Sequence, residues 1–190
     1  MKELIKKHIL EHSTVLDSIA HLDESIIRIA TLLISCLEKG GTIFWCGNGG
    51  SASDSQHLAG ELVGRFNGNR RPLKSIALTA DSAVTTCIVN DYGYKHIFSR
   101  QIEALGCKGD VLVGISTSGN SKNVLNAFEA ASNNGVTTIG LLGKGGGVAK
   151  SLVEESIIIP SNTTARIQEM HILIGHILCD LIEVGLDLKK

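Results

Sequence analysis

Apolar residues recur at helical spacing from Ile5 to Leu22 and again from Ile26 to Leu37, with Asp23 between the runs as a candidate cap. Residues 1–40 therefore read as two helices that precede any strand. Their combined apolar face exceeds what the edge of one small sheet can bury, so this segment is expected to pack subunits together. After Gly40 and Gly41 the period changes. Short strand-like runs lie at Thr42–Cys46, Ser75–Leu78, Val111–Ile115, Thr137–Leu142 and Ser156–Ile159. Helical patterns separate and follow them at Ser51–Arg65, Ser82–Val89, Tyr94–Leu105, Ser121–Asn133, Val148–Val153 and Thr163–Leu186. Strands that are apolar throughout and alternate with helices form parallel sheets covered on both faces. The expected fold is a single α/β domain over 1–190: a doubly wound five-stranded parallel sheet with helices on both faces and an N-terminal helical extension.

Composition narrows the partners. With 18 basic against 19 acidic residues the formal net charge is −1, which leaves no basic field for a nucleic-acid backbone. No stretch approaches the ~20 apolar residues of a membrane span, and the charged N-terminus lacks the apolar core of a signal peptide. Five cysteines (Cys36, Cys46, Cys87, Cys107, Cys179) show no CxxC spacing, and four sit in apolar runs where buried, reduced thiols are expected. An odd count without a framework suits a reducing compartment, so a soluble, cytoplasmic protein is expected.

Open sheets of this kind bind ligands beyond the carboxyl ends of their strands, so the loops there carry the chemistry. The first reads Gly47-Asn48-Gly49-Gly50-Ser51-Ala52-Ser53 and opens a helix, where glycines let backbone approach an anion. Gly47, Gly49 and Ala52 also fit the dinucleotide pattern GxGxxA. That site needs an acidic residue about 20 positions further on, and Asp81 lies well beyond. The loop after the third strand, Ser116-Thr117-Ser118-Gly119-Asn120-Ser121, has four hydroxyl residues in six positions at a helix start. One serine there would be a helix cap; four together suit a phosphate cradle. Without GK[ST] it is no nucleotide P-loop, and a small phosphorylated metabolite is the better ligand.

Candidate acid–base groups lie on two helices. His57 and Glu61, four apart, share one face of the helix after the first loop. Gln168, His171 and His176 are polar positions inside the apolar run of the last helix. By spacing alone, such a His–Glu pair is more often structural than catalytic, and a lone His in such a run is usually a core or interface group.

Four segments together, GNGGSASDSQHLAGELVGRF, VNDYGY, GISTSGNSKNV and TARIQEMH, resemble the phosphoheptose isomerases of the sugar isomerase (SIS) domain superfamily over essentially the whole chain. The resemblance implies a flavodoxin-like sheet and a ketose–aldose isomerase making a heptose phosphate from sedoheptulose 7-phosphate for bacterial surface glycans. It implies that Asn48, Gly49, Gly50, Ser51, Ser53, Asn90, Asp91 and Gln168 line the sugar site, and that Ser116, Thr117, Ser118 and Ser121 hold the phosphate. It further implies Glu61 as general base and His176 as partner acid. One zinc ion per subunit would be held by His57, Glu61, Gln168 and His176, in a homotetramer whose active sites are shared between subunits. Two alternatives stay open: an isomerase of another sugar phosphate, and a non-catalytic SIS-domain protein of the kind that binds a replication initiator.

Overall fold

A computed structural model describes residues 1–188; positions 189–190, the last two of the expected domain, lie outside it. Five parallel strands form one sheet: β1 (Ile43–Gly47), β2 (Ser75–Ala77), β3 (Val111–Ser116), β4 (Thr137–Gly143) and β5 (Glu155–Ile159). Their spatial order is β2-β1-β3-β4-β5, the doubly wound order expected, with its switch point between β1 and β3. Alternate strand residues feed two cores. Ile43, Trp45, Val111, Val113, Ile139 and Leu141 pack with α2 (Asp23–Glu38), α3 (Gly50–Val63) and α7 (Thr164–Gly185). Phe44, Cys46, Leu112 and Leu142 pack with α4 (Ser82–Tyr92), α5 (Ser99–Leu105) and α6 (Lys122–Asn133) on the other face. Each fully buried aliphatic or aromatic side chain contributes about 1.5–3 kcal/mol relative to exposure, so both faces are needed to offset chain entropy.

Two polar side chains tie the frame together. The Trp45 indole donates to Ser75 Oγ at 2.9 Å and ties β1 to the short edge strand β2. At the opposite end of the sheet from the carboxyl loops, the Asp110 carboxylate accepts the N–H groups of Thr42 and Cys107 at 2.7 and 2.8 Å.

The apolar surplus expected of the N-terminal helices sits on the first of them, α1 (Lys2–Ser18). Helix α2 buries Ile26, Ile29, Leu33 and Leu37, whereas α1 buries no residue. Polar contacts hold α1 to α7: the Arg166 guanidinium donates to the His8 carbonyl, and His12 Nδ1 lies 2.7 Å from Glu169 Oε2. Leu4, Ile5, Ile9 and Leu10 stay exposed, and Leu16, Ile19, Ile27, Leu173 and Ile177 line an apolar groove of about 490 Å³ beside them.

Four local expectations change. Asp23 is not the cap of α2 but its first residue; the N-cap is Leu22, and Asp23 with Glu24 faces the positive end of the helix dipole instead. The stretch Val148–Val153 makes only a 3₁₀ turn at Ala149–Ser151, because three positive-φ glycines (Gly145–Gly147) precede it and β5 follows too soon for a helix to nucleate. The Tyr94–Leu105 pattern divides into a turn at Tyr94–His96 and α5. Of the cysteines, Cys36, Cys46 and Cys179 are buried, but Cys87 is exposed with Cys107. Burial pushes the Cys36 thiol up to about 11 and the Cys179 thiol to about 12, with nearby carboxylates adding to both. Among the described residues, no helix is long and apolar enough to cross a membrane.

Candidate active site

The loops after β1 and β3 meet at the switch point and open a cleft of about 300 Å³. Asn48, Gly49, Gly50, Ser51, Ser116, Thr117, Ser121 and Gln168 all line it. Gln168 reaches it from the second turn of α7, so close to Gly50 that a Cβ there would collide with the Gln168 amide nitrogen. Ser116 Oγ lies 3.3 Å from Ser121 Oγ and accepts the Gly119 N–H at 3.1 Å. Ser121 is the N-cap residue of α6, yet its hydroxyl makes no capping bond and stays available to a ligand. The free N–H groups at the start of α6 add anion affinity.

Some predicted residues lie elsewhere. The Ser118 hydroxyl accepts the Asn120 N–H at 3.1 Å, which makes a turn rather than a cleft wall. Ser53 is exposed on α3. Asn90 and Asp91 are in the last turns of α4, not in a loop, where both are exposed and Asn90 Nδ2 donates to Asp91 Oδ1 at 2.7 Å. Asp81, the misplaced dinucleotide acid, caps α4 by accepting the Val84 N–H at 2.9 Å.

The second centre joins α3 to α7. His57 Nε2 and His176 Nε2 lie 2.9 Å apart, a hydrogen bond in which one imidazole donates and the other accepts. Glu61 Oε1 is 3.2 Å from His57 Nε2, and the three side chains offer ligand atoms all within 4.8 Å of one another. All three are at least partly solvent-accessible, so a substrate or ion can reach them. Phe66 stacks on the His176 ring with centroids 5.6 Å apart. Burial raises the pKa of nearby Asp54, while His57 and His176 pull it down. His171 is not part of the centre: it is buried against the sheet, with Nε2 3.0 Å from the Leu142 carbonyl.

The SIS domain family profile matches residues 9–143. The chain is 54% identical to the phosphoheptose isomerase of Helicobacter pylori strain Shi470 over 95% of its own length and 94% of that protein's. It is 50% identical to the enzyme of the same name from Campylobacter jejuni (97% and 100% covered). The chain belongs to the phosphoheptose isomerases. Among solved structures, the phosphoheptose isomerase of Neisseria gonorrhoeae superposes with a TM-score of 0.92 at 42% identity, covering 96% of this chain and 98% of that one.

Several residues that organise this isomerase site were given no role by sequence reasoning. Asn48 Oδ1 accepts both the Tyr94 hydroxyl at 2.6 Å and the Asn123 amide at 2.7 Å, and its own amide donates to Asn123 Oδ1 at 2.9 Å. Buried Asn123 thus locks the first loop onto the start of α6. Tyr94 and Asn123 fall inside the VNDYGY and GISTSGNSKNV segments, which is the only signal that pointed at them. Asp54 and Phe66 fall inside GNGGSASDSQHLAGELVGRF in the same way, whereas Arg70 and Glu183 left no readable signal.

Proposed function

We propose that this enzyme interconverts sedoheptulose 7-phosphate and D-glycero-D-manno-heptose 7-phosphate through an enediol, the first step toward activated heptose for bacterial surface glycans. The observation that carries this reading is Glu61 within hydrogen-bonding reach of a coupled His57–His176 pair, beside a hydroxyl-lined cleft at a helix start.

The Ser116–Ser121 loop and the α6 N-terminus bind the phosphate and orient the far end of the open-chain ketose. Glu61 removes a proton from carbon 1, and the same proton returns at carbon 2. His176 carries a proton from the oxygen of carbon 1 to that of carbon 2, so the aldehyde forms with no net gain or loss. A non-catalytic SIS-domain protein has no use for this cluster.

His57, Glu61 and His176 fit a zinc site, since two imidazole nitrogens and a carboxylate oxygen converge there. Held there, such an ion would supply Lewis acidity to the site. Gln168, the fourth ligand the family resemblance implies, sits eight residues before His176, about 12 Å along the α7 axis, and lines the phosphate cleft. We therefore place a cleft and a cluster from different subunits together in one active site of a cytoplasmic homotetramer. The exposed apolar stripe of α1 supports that assembly.

Proton NMR of sedoheptulose 7-phosphate incubated with the protein tests the reading. An aldoheptose phosphate is the expected product. No conversion, with zinc supplied, removes it; conversion of ribulose or fructose phosphates instead redirects it.

A further inference from the structure

Arg70 and Glu183 form an ion pair shut off from water, with side chains 1% and 0% exposed and Arg70 Nε donating to Glu183 Oε1 at 2.7 Å. Such a pair is poor evidence for stability, because desolvating both charges offsets their attraction. Its other hydrogen bonds show what else it does. The guanidinium donates to the carbonyls of Glu61 and Leu62 at 2.7 and 2.9 Å. These carbonyls end α3 and have no helical partner, so Arg70 caps the helix that carries Glu61 and His57.

On the other side, Glu183 accepts the N–H groups of Phe66, Asn67 and Gly68 at 3.0, 3.1 and 3.3 Å. That carboxylate nest holds the loop after α3 against α7, and with it the Phe66 ring that stacks on His176. Glu183 lies seven residues beyond His176 and shares its face of α7. Burial acts to raise the Glu183 pKa, but the bonds from Phe66, Arg70, Gly68 and Asn67 outweigh it and keep the carboxyl below its usual range.

We infer that Arg70 and Glu183 are positioning residues for the isomerisation: the pair sets the spacing of Glu61 against His176 and keeps Phe66 on the imidazole. The inference rests on the acid–base reading of that cluster.

The test uses two variants of the full chain. Arg70→Met with Glu183→Leu removes both charges together, so neither is left buried alone, but the loop N–H groups and the α3 carbonyls lose their partners and melting should fall. Arg70→Lys keeps the charge but loses the fork. In the folded double variant, kcat for sedoheptulose 7-phosphate should fall about 10- to 100-fold with KM within about threefold, and Arg70→Lys should lose about tenfold. The ¹H–¹⁵N ring signals of His57 and His176 should move in both variants, with His171 as an unmoved control. A folded variant whose kcat stays within about twofold of wild type, or whose His57 and His176 signals stay in place, overturns the inference. If the double variant does not fold, Arg70→Lys decides by the same criteria. A wild type that turns nothing over sinks the proposed reaction instead, and the ring signals alone then decide the clamp.

Discussion

Ser116, Thr117 and Ser121 line the cleft from one loop of six residues, whereas His57 and His176 meet across 119 positions of sequence. The cradle is a local product. A strand ends, its chain turns, a helix begins, and the Ser116, Thr117 and Ser121 hydroxyls gather near the free N–H groups of the helix start. The cluster is a product of packing. It exists because α3 and α7 approach closely enough that a Cβ on Gly175 would meet Leu58 at 2.6 Å, and because Glu183 ties the loop after α3 to α7. The proposed binding loop is thus encoded in a short stretch, while the proposed acid–base cluster depends on the whole frame. Substitutions at the two centres should separate accordingly.

The sharpest separation comes from Glu61→Gln. The amide keeps the size and one acceptor but cannot take the carbon-1 proton. Turnover should fall by about 10²–10⁴-fold. Sugar-phosphate affinity by isothermal titration should hold near wild type, because the cleft loop is untouched. Retention of more than a tenth of the activity would remove Glu61 from the base role.

The same contrast explains what could be read from the sequence. The five strands and their order of helices are legible because each strand is an apolar run bounded by glycine or polar loops, and each helix has its own period. The cradle residues are legible because they are adjacent. The spacing of His57 and Glu61 shows a shared face, but nothing along the chain says that His176 closes on it, since that contact is decided by how two helices cross. Arg70 and Glu183 are less legible still: two charged residues 113 positions apart look like solvated surface until the fold buries them. The Val148–Val153 pattern misleads for the opposite reason, as its local period is overruled by the glycines before it.

Acid should strain the α7 side of the comparison first. Burial, opposed by the bond to the Leu142 carbonyl, lowers the His171 pKa to about 4. An unfolded chain titrates near ~6.5, so between those values the unfolded state binds more protons and stability rises with pH. The contribution is complete above pH ~6.5 and is lost as pH falls toward the folded value, a span of roughly 3 kcal/mol. His171→Gln keeps a donor for Leu142 and does not titrate. Its melting temperature should therefore change less between pH 6.5 and 4.5 than that of wild type. Equal slopes would mean that His171 is not the group that loosens α7.

The smallest effect tests the cradle itself. Ser121 occupies the N-cap of α6, where an ordinary capping serine contributes about 1 kcal/mol of stability. Here the hydroxyl makes no capping bond and lies 3.3 Å from Ser116 Oγ at the cleft. Ser121→Ala should then leave the melting temperature unchanged and weaken phosphate binding by about 1 kcal/mol, roughly fivefold. The loss should be the same for inorganic phosphate as for the sugar phosphate, because the hydroxyl touches only the group they share. A drop in melting temperature with affinity intact would reverse the assignment: Ser121 would be a helix cap, and the loop would bind phosphate through backbone N–H groups alone.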